Sequence, residues 1–230
     1  MYDKPGMTKV RVWDLPTRVF HWALVLGVIA QAITGLVGGD AMAWHFRVDY
    51  SVLALLLFRI IWGLVGGRWS RFRAFAYSPQ SVLDYLKGRG RGKPEHGVGH
   101  SPLGAGSVFA MLLFLLAQVA SGLFSDDEIA AAGPLTRFVS NSTVSLATQY
   151  HASIGKWVPL ALVLVHIGAI IYYLRRKHHL AGAMLHGDKE LVQAAPPSRD
   201  DAVSRVAPLL ILAACAGVGY WVASFDQPAF

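Results

Sequence analysis

The chain has 230 residues, of which 54% are hydrophobic and only 15% charged, whereas about a quarter of the residues in an ordinary soluble domain are charged. Its net charge of +7 would suit a nucleic-acid-binding protein only if the basic residues covered a folded polar surface, and here they lie between long apolar segments. The single cysteine, Cys215, excludes cysteine-ligated iron–sulfur and structural zinc sites, so a metal would need nitrogen or oxygen ligands.

Five apolar stretches approach the roughly 20 residues that a helix needs to cross the hydrocarbon core of a bilayer. They cover residues 20–37, 48–65, 107–124, 154–174 and 206–224. We therefore expect an all-α integral membrane protein with five transmembrane helices, the fifth near the C-terminus. The segment before the first stretch lacks the small-residue cleavage site of a secretory signal, so we expect the first helix to remain in the mature protein.

Lysine and arginine are concentrated in alternate connections between these spans. Most of the 21 basic residues precede the first span, lie between the second and third, or follow the fourth. The opposite loops hold Arg47 and Arg137, together with the acidic sequence SDDE at residues 125–128. The positive-inside rule therefore predicts a cytoplasmic N-terminus. The basic loop at residues 68–106 is rich in glycine and proline, and we expect it to hold a short interfacial helix.

Four of the nine histidines lie in the predicted spans or at their edges: His21, His45, His151 and His166. An ionisable side chain in a span is unfavourable unless it faces the bundle interior with a partner, so each of the four is a functional candidate. A lone histidine at a membrane edge, such as His45, is more often an interfacial residue than a ligand. Four histidines that pair by depth are harder to explain in that way.

The direction of each span places these histidines at two depths. The first span runs outward and the second and fourth run inward, so His21 matches His166 near the inner face, and His45 matches His151 near the outer face. In an ideal α-helix the fifteen residues from His151 to His166 cover about 22 Å, with a rotation of roughly 60° beyond whole turns. Each pair of neutral imidazoles would supply both axial ligands of a b-type haem. We therefore predict two haems, one above the other, that carry electrons.

Two other residues in the spans have alternative interpretations. Arg59, deep in the second span, would pair with a haem propionate or would extend its charge toward the cytoplasmic interface. Pro159 lies between the two histidines of the fourth span and cannot donate a hydrogen bond to the carbonyl of Gly155. We expect Pro159 to bend that helix, although prolines are also common in membrane helices without such a role.

A short internal repeat marks the outer ends of the first and third spans. The sequence AQAITGL at residues 30–36 is echoed by AQVASGL at residues 117–123. Gly35 and Gly122 of the two copies would allow close approach either of a flat macrocycle or of a neighbouring helix. A shared role at a cofactor and ordinary packing of small residues both remain open.

Several motifs resemble the bacterial cytochrome b561 family and the related cytochrome b subunits of nickel–iron hydrogenases. VWDLPTRVFHW is similar to the family's first-span signature, with His21 at the ligand position, and WHFRVDYSVLALLLFRIIWGLVGGRWSRF resembles the second span, with His45 as ligand. GHSPLGAG is similar to the start of the third span, and YHASIGKWVPLALVLVHIGAIIYYL to the fourth, with both His151 and His166 as ligands. HHLAGAMLHGDK resembles the cytoplasmic tail motif. Together these motifs cover roughly residues 11–189.

The resemblance implies a di-haem cytochrome b of the bacterial inner membrane that exchanges electrons between quinone and a redox partner, either hydrogenase subunits or a c-type cytochrome. Residues 1–189 would form a four-helix transmembrane haem-binding bundle, and residues 190–230 a linker with a fifth, C-terminal transmembrane helix. Whether the chain is a quinone-coupled oxidoreductase in its own right is left open. His100, in the GHSPLGAG motif, would lie near a propionate or a quinone, or would be an ordinary loop histidine.

Two other classes of protein remain as alternatives. A permease for protons or metal ions would use the same intramembrane histidines, but we would expect it to place acidic residues in the spans, and we expect none there. A haem-free membrane anchor for a partner complex would need no cofactor. Visible absorption separates these classes, because reduced haem b gives a sharp alpha band.

Overall fold

The computed structural model describes residues 7–89, 98–128, 131–176, 180–192, 194–199 and 201–226, and is predominantly helical. Its helices are α1 (Leu15–Val37), α2 (Met42–Val65), α3 (Pro79–Leu86), α4 (Pro102–Leu123), α5 (Asn141–Tyr150), α6 (Lys156–Arg175), α7 (Leu180–His186) and α8 (Ala202–Ala223). Five helical stretches are long and apolar enough to cross a membrane: α1, α2, α4, α8 and the stretch from α5 to α6. The predicted all-α integral membrane fold, with a fifth C-terminal span, is confirmed.

The chain forms two compact units, and the spanning helices contribute residues to both. The first unit comprises Met1–Val19, Ile60–Phe109 and Val165–Pro208. The second comprises Phe20–Arg59, Ala110–Leu164 and Leu209–Phe230. The proposed domain boundary between residues 189 and 190 stays a prediction. The two histidines that open the predicted tail motif, His178 and His179, lie outside the described residues.

In the first unit, a buried carboxylate ties the start of α1 to the end of α2. Asp14 is 1% exposed, and its Oδ1 accepts the backbone N–H of Thr17 at 2.9 Å, which caps the helix. Its Oδ2 accepts the indole N–H of Trp62 at 3.2 Å and the backbone N–H of Gly67 at 3.1 Å. The hydroxyl of Ser70 donates to the same oxygen at 2.8 Å. Both carboxylate oxygens are therefore satisfied by donors from the chain.

A two-stranded antiparallel sheet in the same unit was not predicted. Strand β1 (Thr8–Arg11) pairs with β2 (Asp188–Leu191), and this pairing places Arg11 opposite Asp188. The Arg11 guanidinium donates a hydrogen bond to Asp188 and holds the pKa of that carboxyl below its ordinary value. No local pattern indicates the pairing, because its partners are 177 residues apart.

The short helix that we expected in the basic loop is α3. Ser78 caps its N-terminus, since its hydroxyl accepts the backbone N–H of Ser81 at 3.2 Å, and Pro79 occupies the first turn. Leu83 and Leu86 of this helix are exposed. An apolar face of this kind is consistent with an interfacial location, which stays a prediction.

In the second unit, α2 is the central helix. More than half, 56%, of the residues in its most apolar window are buried, against 6% for α1, so α2 is packed more completely against other helices than α1 is. The buried core consists of Tyr50, Val52, Leu53 and Leu56 of α2, Leu115, Val119 and Leu123 of α4, and Val222 of α8. This core packs α2, α4 and α8 against one another.

The fourth span differs from the continuous α-helix that we expected at residues 154–174. It begins at Asn141, and a π-helical turn, His151–Gly155, separates α5 from α6. The rotation calculated for an ideal α-helix does not apply, because π-helical residues bond to the fifth residue rather than the fourth. Pro159 lies in the first turn of α6, after the π-helical turn, and the bend that we expected at this proline stays a prediction.

Candidate functional site

The structure brings together two of the four predicted histidines, His45 and His151, both in the second unit. His45 lies in the first turn of α2, and His151 opens the π-helical turn after α5. Their ring centres are 6.2 Å apart, and the ring planes are nearly perpendicular, at 88°. Both side chains are half-buried. The depth matching that the sequence predicted for this pair agrees with their proximity.

Hydrogen bonding fixes the tautomer of His151. Its Nδ1 lies 2.9 Å from the backbone carbonyl oxygen of Gln118 and 3.3 Å from the hydroxyl oxygen of Ser121. A carbonyl oxygen can only accept, so Nδ1 of His151 carries the hydrogen. In the neutral imidazole the lone pair is then on Nε2, which is the nitrogen available to a metal.

His45 is held in the same way from α1. Its Nδ1 lies 3.0 Å from Oγ1 of Thr34, and that hydroxyl donates its one hydrogen to the carbonyl of Ala30 at 2.7 Å. The threonine oxygen therefore accepts from Nδ1 of His45, which leaves Nε2 of this ring available as well.

The two glycines of the internal repeat lie against these rings. A Cβ atom added at Gly35 would lie 3.2 Å from Cε1 of His45, and one added at Gly122 would lie 2.8 Å from Cε1 of His151. Both glycines thus make room for an imidazole of the neighbouring helix. Each copy of the internal repeat therefore contacts one of the two histidine rings, and we call the copies the histidine-binding segments. The sequence alone left that role open.

The expectation that the spans contain no acidic residue was wrong. Asp49 lies in α2, one turn after His45, and is 4% exposed. Its carboxylate accepts a hydrogen bond from Nε2 of Gln31, the glutamine of the first repeat copy, at 2.9 Å. The position of Asp49 near the start of the second span, just before a long apolar run, is visible in the sequence.

The glutamine of the second repeat copy has a different contact. Nε2 of Gln118 donates to the backbone carbonyl of His151 at 3.1 Å, and its Oε1 occupies the space that a side chain at position 155 would need. Gly155 takes the place in the π-helical turn that Asp49 takes in α2, four residues after the histidine. The two histidine-binding segments are thus alike around the rings and differ one turn further along.

The other predicted site residues are not assembled into a pair. His21 lies in the second unit, with its ring edge against Trp22, and His166 lies in the first unit, so their pairing stays a prediction. Arg59 is 3% exposed within α2. That burial disfavours the interpretation of a snorkelling arginine, whose charge would reach the interface. Its contact with a propionate stays a prediction.

The ring of His100 contacts two aromatic side chains in the first unit, at tilted angles. Its ring centre lies 4.7 Å from that of Trp13 and 4.5 Å from that of Phe75. The hydroxyl of Tyr77 donates to its backbone carbonyl at 2.9 Å. These contacts give His100 a packing role at the start of the third span.

The spacing of His45 and His151 can be tested against a haem iron. A metal–imidazole bond is about 2 Å long and the ring centre lies roughly 1 Å beyond the nitrogen, so two rings on opposite sides of one metal have centres about 6 Å apart. The observed 6.2 Å fits that value, and both Nε2 atoms are in the coordinating form. The fold therefore defines a multi-pass helical membrane protein, and this histidine pair fits the axial ligation of a membrane cytochrome.

The chain belongs to the prokaryotic cytochrome b561 family, whose sequence profile matches residues 12–187. A relative from Rhizobium leguminosarum bv. viciae named "Probable Ni/Fe-hydrogenase B-type cytochrome subunit" is 25% identical, over 78% of this chain and 88% of its own length. Its counterpart in Escherichia coli K12, a "Probable Ni/Fe-hydrogenase 1 B-type cytochrome subunit", is 24% identical over 68% of this chain and 80% of its own. A Cupriavidus necator relative with the first of these names is 25% identical, with 70% and 78% covered. The predicted family is confirmed, and with it haem as the cofactor class.

Proposed function

We propose that this chain is a di-haem membrane cytochrome b that passes electrons between quinone and a redox protein. The proposal depends most on the geometry of His45 and His151, whose rings are 6.2 Å apart and present their Nε2 atoms for coordination. Bound haem b would supply one-electron chemistry at its iron. We assign these two histidines to the outer haem.

The second haem would be held by His21 and His166. The support for this pair is the matched depth of the two residues in spans of opposite direction, together with the family motifs around them. Arg59 is the cation that we assign to a propionate, because a buried guanidinium is most stable beside a carboxylate. Apolar side chains of α2 and α4 would keep water from the electron path.

The redox partner is proposed from the relatives. Those from Rhizobium, Escherichia and Cupriavidus are all named as cytochrome subunits of Ni/Fe hydrogenases, which supports a hydrogenase as the partner of this chain. A c-type cytochrome is the alternative partner. We place the chain in the bacterial inner membrane with its N-terminus in the cytoplasm, because the basic residues are concentrated in the connections on that side.

Optical spectroscopy of the detergent-purified chain tests this function. We expect a sharp alpha band on reduction, two haems per chain, and reduction of the haem by an added quinol. His186→Gln is a control that should retain both haems, because His186 ends α7 and lies outside the predicted pairs. A folded protein that stays colourless after incubation with haemin would contradict the proposal.

Asp49 favours a second candidate function, a permease that moves protons or metal ions past the histidines. A buried carboxyl one turn from His45 is the acidic group that such a protein would be expected to contain. Among the described residues, however, no three or more His, Cys, Asp or Glu side chains come together as a metal site. In vesicles loaded with a pH-sensitive dye, proton entry that stops in Asp49→Asn, without an alpha band, would establish the permease and exclude the cytochrome.

A further inference from the structure

We propose that Thr34 and Ser121 are positioning residues for the outer haem, which hold its two axial imidazoles in one tautomer and nearly at right angles to each other. The inference rests on the proposed function, since it takes His45 and His151 as the ligands of one haem. It goes beyond that function by assigning roles to two hydroxyls in the spans.

Each of the two hydroxyls donates its hydrogen to a backbone carbonyl about one turn earlier in its own helix. Thr34 donates its hydrogen to the carbonyl of Ala30 at 2.7 Å, and Ser121 donates to the carbonyl of Gln118 at 2.9 Å. With that hydrogen used, each oxygen presents a lone pair to the neighbouring helix. Thr34 meets Nδ1 of His45 at 3.0 Å, and Ser121 meets Nδ1 of His151 at 3.3 Å.

The residue after each hydroxyl restrains the same ring at a second point. Gly35 follows Thr34 and lies against Cε1 of His45, while Gly122 follows Ser121 and lies against Cε1 of His151. A hydrogen bond at Nδ1 and a backbone contact beside it fix the rotation of an imidazole about its Cβ–Cγ bond. Each repeat copy contains one hydroxyl residue followed by glycine. These two residues together set the orientation of the neighbouring imidazole ring.

Ring orientation has a direct spectroscopic consequence. In a low-spin ferric haem, parallel imidazole planes split the iron d orbitals and give a rhombic electron paramagnetic resonance spectrum, whereas perpendicular planes leave those orbitals nearly equal in energy. The 88° angle between His45 and His151 thus predicts a strongly anisotropic signal with one large g value. The Nδ1 hydrogen bonds also make both ligands more basic, which favours ferric iron and lowers the midpoint potential.

The test uses Thr34→Val, which keeps the shape of threonine and removes the hydroxyl, and Ser121→Ala. We expect Thr34→Val to retain haem, to move the anisotropic signal toward a rhombic one, and to raise the potential of one haem. If the preference of the haem for ferric over ferrous iron becomes tenfold weaker, its midpoint potential rises by about 59 mV. Ser121→Ala should act in the same direction, and each ring keeps a backbone partner in these variants, the Gln31 carbonyl for His45 and the Gln118 carbonyl, at 2.9 Å, for His151.

The controls separate positioning from packing. Thr34→Ser and Ser121→Thr restore a hydroxyl and should restore the spectrum and the potential. Ser51→Ala should change neither, because the Ser51 hydroxyl is exposed and donates to the carbonyl of Arg47. If Thr34→Val loses haem altogether while Thr34→Ser keeps it with the native signal, the hydroxyl is still the determinant.

Two results would overturn the inference. One is a Thr34→Val protein whose g values and potentials match those of the unaltered chain, and the other is a Thr34→Ser protein that behaves like Thr34→Val. Either result, with two low-spin haems still bound, would leave the proposed function intact. An unaltered chain without any low-spin haem would instead defeat the proposed function itself.

Discussion

Each of the two compact units contains a cluster of hydrogen-bonded polar side chains, and the clusters differ in whether their polar atoms are all paired within the chain. Around Asp14 in the first unit, four donors from the chain satisfy both carboxylate oxygens. In the second unit, His45 and His151 are each bound through Nδ1 and present Nε2 for a ligand. The first cluster joins helices, whereas the second has coordinating atoms left over, which is the basis on which we propose it as a cofactor site.

Removal of the carboxylate at Asp14 should have the largest effect on stability. Asp14→Ala would leave buried donors of Trp62, Gly67 and Ser70 without an acceptor, so we expect the free energy of unfolding to fall by at least about 3 kcal/mol. Thermal unfolding in detergent measures the change, and Asp14→Asn should lose less because one acceptor oxygen remains. A melting temperature for Asp14→Ala equal to that of the unaltered protein would show that the cluster does not join the helices.

Alanine at the repeat glycines should affect the other cluster. Gly122→Ala would place a methyl group 2.8 Å from the ring of His151, so we expect about a tenfold loss of outer-haem affinity. Gly35→Ala should lose less, because its methyl group would lie 3.2 Å from His45. The measurement is haem retained per chain as the free haem concentration is lowered.

Gly168→Ala is the matched control for these variants. A Cβ at Gly168 in α6 would meet no atom within 4 Å in the described part of the chain, so we expect full haem content. Equal haem loss in Gly168→Ala and Gly122→Ala would mean that the effect comes from helix propensity and not from the imidazole contact.

The smallest expected effect is a pH dependence confined to the first unit. The pKa of Asp188 is lowered in the fold by its hydrogen bond from Arg11, so its stabilising contribution is present above the unfolded pKa of about 3.9 and is lost as pH falls through the folded value. The pair is partly exposed, so we expect at most about 1 kcal/mol. The melting temperatures of Asp188→Asn and the unaltered chain should differ at pH 7 and converge in acid. A difference that persists in acid would exclude this ionic origin.

The spans and the proximity of His45 and His151 could be predicted from the sequence, because both depend on local composition and on the direction of successive helices. Apolar length identified α1, α2, α4, α6 and α8, and the alternation of basic loops predicted that His45 and His151 lie at one depth, which agrees with their 6.2 Å separation. The resemblance added the family, which the profile match confirms.

Other features depend on contacts between distant segments and could not be predicted in that way. The β1–β2 pairing joins the two ends of the cytochrome-like region, and the π-helical turn at His151–Gly155 packs against the side chain of Gln118. The internal repeat was visible, but its role needed the positions of the two rings. Asp49 is a different case, because its place in the second span follows from the sequence alone, and only its hydrogen bond to Gln31 needed the structure.

The pairing of ligands is tested most directly by counting haems in combined histidine variants. His45→Leu, His151→Leu and the double variant of both should each keep one haem of two, because they disable the same site. His45→Leu combined with His166→Leu should keep none. If His45→Leu with His151→Leu loses both haems while His45→Leu with His166→Leu keeps one, the ligands are paired differently and the central claim is wrong.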